Sequence, residues 1–412
     1  MRPASPAPVL LLSNGHGEDL SGSMLATALI NRGMAVEALP LVGHGEPYRQ
    51  AGIPVLGRTR SYSTGGLGYT SFLGQLTELL QGQPLYFLQR LWLLRRLRKR
   101  FALVVAVGDL LPVLGAWLSG GPAAVYLVAY SSHYEGKLRL PWPCGWLLRR
   151  QRVRAVWTRD ALTATDLREQ LGRPVQFLGN PFLDPVVAPP APALEPDSIA
   201  GQPQRLALLP GSRLPEALRN LELMLRLLAL LPEPLRNPER LQVDAALVRD
   251  LTSDSIESMA RPLGWELRPG EVLQGHGLEL RLGGGRFAAI LNGADLVLSM
   301  AGTAAEQAVG LAKPVLQLAG RGPQFTENFA EAQRRLLGPG LFCAPGSAGS
   351  PDTLKASALL AGQLLEELDD PQRAAAQQQR LQMEAERRIG APGGTTRMAE
   401  AIMALLAPTS HG

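Results

Sequence analysis

The chain is predicted to fold as an α/β protein of two Rossmann-like domains whose parallel sheets face a cleft between them. Three observations carry this expectation. Short apolar runs alternate with longer helical patterns from Val9 to Asp184, and again from Arg205 onward, as in doubly wound sheets. Between them, Pro185–Pro203 holds six prolines in nineteen residues, an extended and fairly stiff linker. The two halves also open alike: Val9-Leu-Leu-Leu-Ser-Asn-Gly15 and Leu206-Ala-Leu-Leu-Pro-Gly-Ser212 are each a buried strand running into a glycine turn. The domains so drawn are 1–184 and 204–380, joined by the linker 185–203. A helical tail, 381–412, could pack back on the first domain.

In the first half, Val9–Ser13 reads as a strand entering the Gly-rich turn Asn14-Gly15-His16-Gly17-Glu18-Asp19, then a helix over Ser23–Asn31 and a strand over Ala35–Leu39. The dinucleotide spacing Gly-x-Gly-x-x-Gly is absent. Ligands of such sheets bind at the carboxyl ends of strands, which makes His16, Glu18 and Asp19 candidates; Glu18 and Asp19 could equally serve only the helix start. Phe101–Val107 is a strand ending in Gly108-Asp109, where a carboxylate could act as a general base or cap the next helix. Ala124–Ala129, Val153–Thr158 and Pro174–Leu178 are further strands, with a helix over Asp160–Gln170.

In the second half, strand Arg205–Leu209 leads into Pro210-Gly211-Ser212-Arg213 and the amphipathic helix Glu216–Leu231. Leu241–Ala246, Glu279–Leu282, Asp295–Ser299 and Pro314–Leu318 are strands. The stretch Ser299-Met-Ala-Gly302-Thr303-Ala-Ala-Glu306 reads as strand end, tight turn and helix start. Its unpaired N–H groups would suit a phosphate, with Glu306 reaching a hydroxyl pair. A capping box of Thr303 and Glu306 explains the same residues without a ligand. The Gln/Ala/Arg/Glu-rich tail from about Pro371 to Leu406 is helical, broken at Gly390–Gly394.

Composition bounds the partners. Of 412 residues, 46% are hydrophobic and 19% charged, an ordinary globular balance. Residues 1–185 carry 20 Lys+Arg against 11 Asp+Glu, while the whole chain has 41 against 36. The basic first half therefore suits an anionic partner. Two segments concentrate that charge among Leu and Trp: 84–100 and 142–154. Both fit an anionic bilayer surface, or helices whose Arg residues merely face water. No nucleic-acid motif accompanies them. The two cysteines, Cys144 and Cys343, suggest neither a disulfide framework nor a zinc site, and imply a reducing compartment. No signal-peptide pattern and no apolar run of about 20 residues is present, so the chain is expected in the cytoplasm, peripheral to the inner face of the plasma membrane if the basic segments bind lipid.

The motifs resemble those of lipid-A-disaccharide synthase. Leu208-Leu209-Pro210-Gly211-Ser212-Arg213 with Glu216 looks like one of its signatures. Gly179-Asn180-Pro181-Phe182-Leu183-Asp184 resembles its Gly-His-Pro-Leu-x-Asp, with Asn for His. Ser299–Glu306 resembles its Ser-Gly-Thr-x-x-x-Glu, lengthened by Met300-Ala301. Gly322-Pro323-Gln324-Phe325-Thr326 looks more like a sister group, the lipid-A-disaccharide synthase-related proteins. At the amino end only Asp19 and Gly22 align with the family's Gly-Glu-x-Ser-Gly-Asp, and Gly108-Asp109 replaces its Gly-Ile-Asp.

The resemblance implies a GT-B glycosyltransferase that inverts at the sugar and moves it from a UDP donor, of N-acetylglucosamine or acylated-glucosamine type, to a lipid or membrane-associated acceptor. It implies no metal and no cofactor beyond the UDP-sugar co-substrate. On this reading Gly211, Ser212, Arg213, Ser299, Gly302, Thr303, Glu306, Gln324 and Thr326 bind the donor. Asp109 is the expected base, with His16 second and Glu18 and Asp19 nearby. A UDP-sugar 2-epimerase, or a non-catalytic, membrane-associated nucleotide-binding protein, fits the same architecture.

Overall fold

A computed structural model describes residues 7–57, 59, 83–134, 136–187, 203–319 and 327–407. Most of the expected linker (188–202), Gln324 and Thr326 lie outside the described residues. The chain divides into two units, Met1–Asp184 with Gly390–Gly412, and Pro185–Ile389.

The first unit is built on a parallel sheet of β1 (Val9–Ser13), β2 (Val36–Pro40), β3 (Leu103–Val107), β4 (Ala123–Leu127), β5 (Val153–Thr158) and β6 (Gln176–Phe177), in the order β2-β1-β3-β4-β5-β6. Every residue of β1, β3 and β4 is buried, because both faces of the sheet are covered; that is why these strands are continuous apolar runs and do not alternate. The helices are α1 (His16–Ile30), α2 (Glu46–Gln50), α3 (Gln83–Arg96), α4 (Leu110–Leu118), α5 (Cys144–Leu148) and α6 (Ala161–Leu171), with a last helix, Gly394–Leu406. Helices α3 to α6 pack on one face, where Leu94, Val113, Leu147 and Leu167 meet Leu10, Leu12, Val104 and Val125. Each such buried side chain contributes about 1.5–3 kcal/mol by leaving water. Helix α1 packs on β1, β2 and β3, and the last helix packs on α1.

Helix α1 starts at His16, not Ser23, so His16, Glu18 and Asp19 lie on its first turn and not in a loop. Acidic side chains in a first turn complement the helix dipole and favour the earlier start.

The second unit has an eight-stranded sheet, ordered β14-β13-β12-β7-β8-β11-β10-β9. Its strands are β7 (Gln204–Leu209), β8 (Leu241–Leu247), β9 (Glu266–Arg268), β10 (Val272–Gly275), β11 (Leu278–Gly284), β12 (Leu296–Ser299), β13 (Val315–Gln317) and β14 (Leu341–Phe342). The helices are α7 (Glu216–Leu228), α8 (Ser253–Ala260), α9 (Phe287–Gly293), α10 (Gly302–Gly310), α11 (Glu327–Leu337), α12 (Pro351–Glu366) and α13 (Pro371–Arg388). This sheet is mixed and not wholly parallel as expected, because β10 runs antiparallel to β9 and β11. A two-residue hairpin turn makes the reversal, with His276 at φ 52 and Gly277 at φ 79. Positive φ at both positions matches the twist of the flanking strands.

The helical tail divides between the units. Helix α13 belongs to the second, while Gly390–Gly412 belongs to the first. Asp184, the last residue before the chain leaves the first unit, accepts hydrogen bonds from Gly393 N (2.6 Å) and Thr395 N (2.8 Å) at the start of the returning helix. Arg397 adds a bond from Nε to the Leu178 carbonyl at 2.7 Å. Gly394 lies so close to this segment that a Cβ there would stand 2.7 Å from the Gly179 carbonyl carbon and 2.8 Å from Asn180 N. Backbone cannot yield as a flexible side chain can. Gly394→Ala is therefore expected to destabilise the first unit by about 1–3 kcal/mol, read as a lowered urea midpoint of its unfolding transition.

Candidate functional site

In the first sheet the chain leaves β1 for β2 on one side and reaches β3 on the other. The loops after β1 and β3 therefore diverge, and an open sheet binds ligands at such a point. The register Ser13↔Val107 sets Asn14 and Gly108 one residue beyond the paired strand ends. Asn14 Nδ2 donates to Asp109 Oδ1 at 2.8 Å, and the same oxygen accepts from Leu111 N at 2.8 Å as the N-cap of α4. Asp109 is thus the helix cap, and its carboxylate is held from two sides. Burial raises its pKa, with the Leu111 and Asn14 hydrogen bonds partly opposing. Gly108 sits at φ 138, and a side chain there would strike the Asn14 amide. Glu18 lies in the same cluster, its Cγ 3.3 Å from where a Gly108 Cβ would be. His16 opens the helix beside them.

Asp19 is placed differently. It is 3% exposed and accepts from Ser13 Oγ at 2.6 Å, and Ser13 Oγ lies 2.9 Å from Tyr48 Oη. A Cβ at Gly22 would fall on the Tyr48 hydroxyl, so glycine is what lets α1 approach α2 here. Asp19 therefore does not present a surface carboxylate to a substrate; it belongs to an internal Ser–Asp–Tyr network. Burial pushes its carboxyl up to about 7, the Ser13 bond partly opposing and Glu18 adding.

In the second sheet the switch lies between β7 and β12. Met300 N donates to the Leu209 carbonyl at 3.0 Å, drawing the two strand ends together. Gly211 stands at φ 112, and a Cβ there would sit 3.9 Å from the Met300 carbonyl oxygen. Gly211, Ser212 and Arg213 on one side, and Gly302, Thr303 and Glu306 on the other, are thereby brought to one end of the sheet. Ser212 and Arg213 are exposed. Helix α10 begins with Ala301 as N-cap and no side-chain cap bond. The capping-box alternative is thus overturned: Thr303 lies inside the first turn, two positions past the N-cap. Ser299 also departs from expectation. It is fully buried, and its Oγ accepts from Ala301 N at 3.2 Å, shaping the turn from within.

Three residues were absent from the sequence reading. Asn14 carries no sequence signal beyond its place in a glycine turn. Tyr48 follows no pattern that would pair it with Asp19. Asn220 is 2% exposed on α7 and donates to the Pro210 carbonyl at 2.7 Å, fixing the Gly211 turn. Its signal was legible: it stands three residues after Ala217 and four before Met224, a polar residue on the apolar face of an amphipathic helix. The motif Gly179–Asp184 is structural. Buried Asn180 accepts from Tyr126 Oη at 2.5 Å and donates to the Arg159 carbonyl at 2.8 Å, and Asp184 holds the last helix. Among the described residues no group of three or more His, Cys, Asp or Glu is placed to hold a metal ion.

No protein-family model matches the chain. A lipid-A-disaccharide synthase of Azoarcus sp. (strain BH72) is 34% identical over 154 residues, which span 37% of this chain and 36% of that protein. Solved structures match along nearly the full length. The calicheamicin glycosyltransferase CalG4 superposes with a TM-score of 0.58 at 17% identity, covering 100% of both chains. The S. aureus MnaA–UDP structure gives 0.54 at 14% identity, covering 97% of each chain. A UDP-N-acetylglucosamine 2-epimerase gives 0.53 at 16%, covering 97% of this chain and 96% of that one. At such identities the likeness concerns the fold: two Rossmann-like units of the GT-B class.

The Asp19 network has a measurable consequence. The folded value of about 7 exceeds the ordinary 3.8, so between these pH values the folded chain keeps a proton that the unfolded chain has lost. The associated stability is complete below pH 3.8 and declines as pH rises to about 7. Asp19→Asn imitates the protonated side chain. Urea unfolding of wild type and variant should agree near pH 4, and at pH 8 favour the variant by on the order of 4 kcal/mol. Parallel pH profiles for the two proteins would mean that Asp19 is ionised in the fold.

Proposed function

We propose that the chain is a UDP-sugar-dependent glycosyltransferase that inverts at the sugar and works without a metal. One observation carries this reading: in the second unit an uncapped helix start and a positive-φ glycine turn meet at the sheet's switch point, beside an exposed arginine. Unpaired N–H groups, a helix dipole and a guanidinium are what a leaving diphosphate requires. Glu306 on α10 would hold the ribose hydroxyls, and Gln324 and Thr326 would complete the donor pocket. Asn220 would keep the Gly211 turn in place.

The first unit supplies the acid–base partner. Asp109 would take the proton of the acceptor hydroxyl as the new C1–oxygen bond forms and the bond from C1 to the diphosphate oxygen breaks, releasing UDP. A carboxylate raised by burial is a stronger base than an exposed one. Asn14 would hold it in position, while His16 and Glu18 would lie at the acceptor. The partial likeness to lipid-A-disaccharide synthase supports a donor of N-acetylglucosamine or acylated-glucosamine type and a lipid acceptor.

A second reading has its own support, since solved UDP-N-acetylglucosamine 2-epimerases share this fold much as glycosyltransferases do. An epimerase would alter the UDP-sugar with no acceptor present; a transferase consumes it only with one. Incubation with a panel of UDP-sugars, with and without a total lipid extract, separates the two by mass spectrometry. A new glycolipid supports transfer, and an acceptor-independent epimer replaces it with the second reading. UDP binding with no turnover in either arm would leave a nucleotide-binding protein.

Within the transferase reading, Asp109→Asn should lower kcat about 10²–10⁴-fold while the Kd for UDP stays nearly unchanged. Full activity would remove Asp109 from the mechanism. Arg213→Ala should do the converse, weakening UDP binding about tenfold or more, by isothermal titration.

A further inference from the structure

The outer side of the α3–α4–α5 layer in the first unit has no part in the proposed chemistry. It carries three of the chain's six tryptophans, all strongly exposed: Trp92 at 56%, Trp142 at 88% and Trp146 at 46%. The other described tryptophans are half-buried or buried, Trp117 beneath Trp146 at a ring distance of 6.1 Å and Trp157 and Trp265 in the cores. Helix α4 packs against both α3 and α5, which brings the exposed rings onto one layer.

The charge around these rings is of one sign. Segments 83–100 and 136–154 each contain six Lys+Arg and no Asp or Glu. Not all of that charge belongs to the surface. Arg90 is buried and donates to the Leu56 carbonyl, Arg100 pairs with Glu37, and Arg154 donates to the Leu405 carbonyl on the last helix. Exposed beside the rings are Arg95, Arg96, Arg98 and Lys99 on one side and Lys137, Arg139, Arg149 and Arg150 on the other, while Arg152 is half-buried. Arg96 stacks on Trp92 at 3.8 Å and Arg150 on Trp146 at 3.7 Å. Each pair offers an amphipathic ring and a cation together, the combination that suits the headgroup level of a bilayer.

We propose that this surface binds an anionic lipid bilayer. Charge complementarity selects the partner: the cations attract the negative leaflet, while the tryptophan rings enter its interfacial zone. A lipid surface fits better than a nucleic acid, because the exposed rings are tryptophans, the residue of the bilayer's interfacial belt, and no nucleic-acid motif accompanies the charge. Among the described residues no helix is long and apolar enough to cross a membrane, so the contact is peripheral. Its position is also defined. Helix α4 begins at Asp109 and ends beside Ser119, where Lys99 N donates to the Ser119 carbonyl and Arg152 Nη1 to that of Trp117. Lys99 and Arg150, which accepts at its carbonyl from Val153 N, thus lie toward the amino ends of the strands, and the role of the patch does not depend on the transferase reading.

The test is co-sedimentation of the full chain with vesicles of about 30% phosphatidylglycerol in phosphatidylcholine, against pure phosphatidylcholine. The expected result is partitioning to the anionic vesicles that falls with salt. The double variant Arg95→Glu/Arg96→Glu should lower it about tenfold or more, and Trp142→Ala about threefold or more, with thermal unfolding unchanged for this highly exposed ring. Equal partitioning to both vesicle types would overturn the proposal, as would anionic binding indifferent to all three substitutions. Binding to a single-stranded RNA without vesicle binding would overturn it too, and would reassign the surface to nucleic acid. UDP binding, measured alongside, should not change in any of these variants.

Discussion

The hydrogen bond from Asn14 to Asp109 ties together the two strand ends on which the first unit's site is built. It exists because β1 and β3 run side by side in register, so that the first residues past each strand meet. Topology alone opens a crevice there, but it does not orient a side chain. Asp109 is oriented because one oxygen serves two donors, a side-chain amide and a helix N–H. Gly108 makes room for that amide, and any side chain at this position would displace it. The carboxylate therefore also caps α4, so substitutions at Asp109 act on that helix as well.

The second unit solves the same geometric problem with the opposite chemistry. There the backbone supplies the polarity: an uncapped helix start, a glycine turn and a strand-to-strand bond from Met300 to Leu209. Side chains serve as braces. Ser299 turns inward to shape its own loop, and Asn220 holds the neighbouring one from a helix face otherwise apolar. Carboxylates line one switch point and N–H donors the other.

Much of this was legible in the sequence, and the failures have physical causes. The bounds of β1 follow directly from its apolar run, because a strand buried on both faces carries no competing pattern. The start of α1 was obscured by Gly15-His16-Gly17, which looks like a turn until Glu18 and Asp19 are weighed as first-turn residues. Strands β9 and β10 are only three and four residues long, too short for periodicity to register. Within the site, residues adjacent to a strand end could be nominated from local pattern. Which of them faces outward could not, since the burial of Asp19 depends on Tyr48 in another helix and on the absence of a side chain at Gly22.

The uneven charge of the chain also takes a different meaning in three dimensions. A basic amino-terminal half reads as an attraction for an anionic substrate, yet the groups at its candidate site are Asn14, Glu18 and Asp109. Its exposed arginines lie on the outer helical layer, stacked on tryptophans. Part of the excess serves the fold itself: buried Arg90, half-buried Arg173 and exposed Arg154 donate to backbone carbonyls within the unit. Net charge summed over a domain therefore merges three roles that the fold keeps apart, namely pinning loops, facing a partner and setting the field at the site. Only the second bears on what the domain attracts.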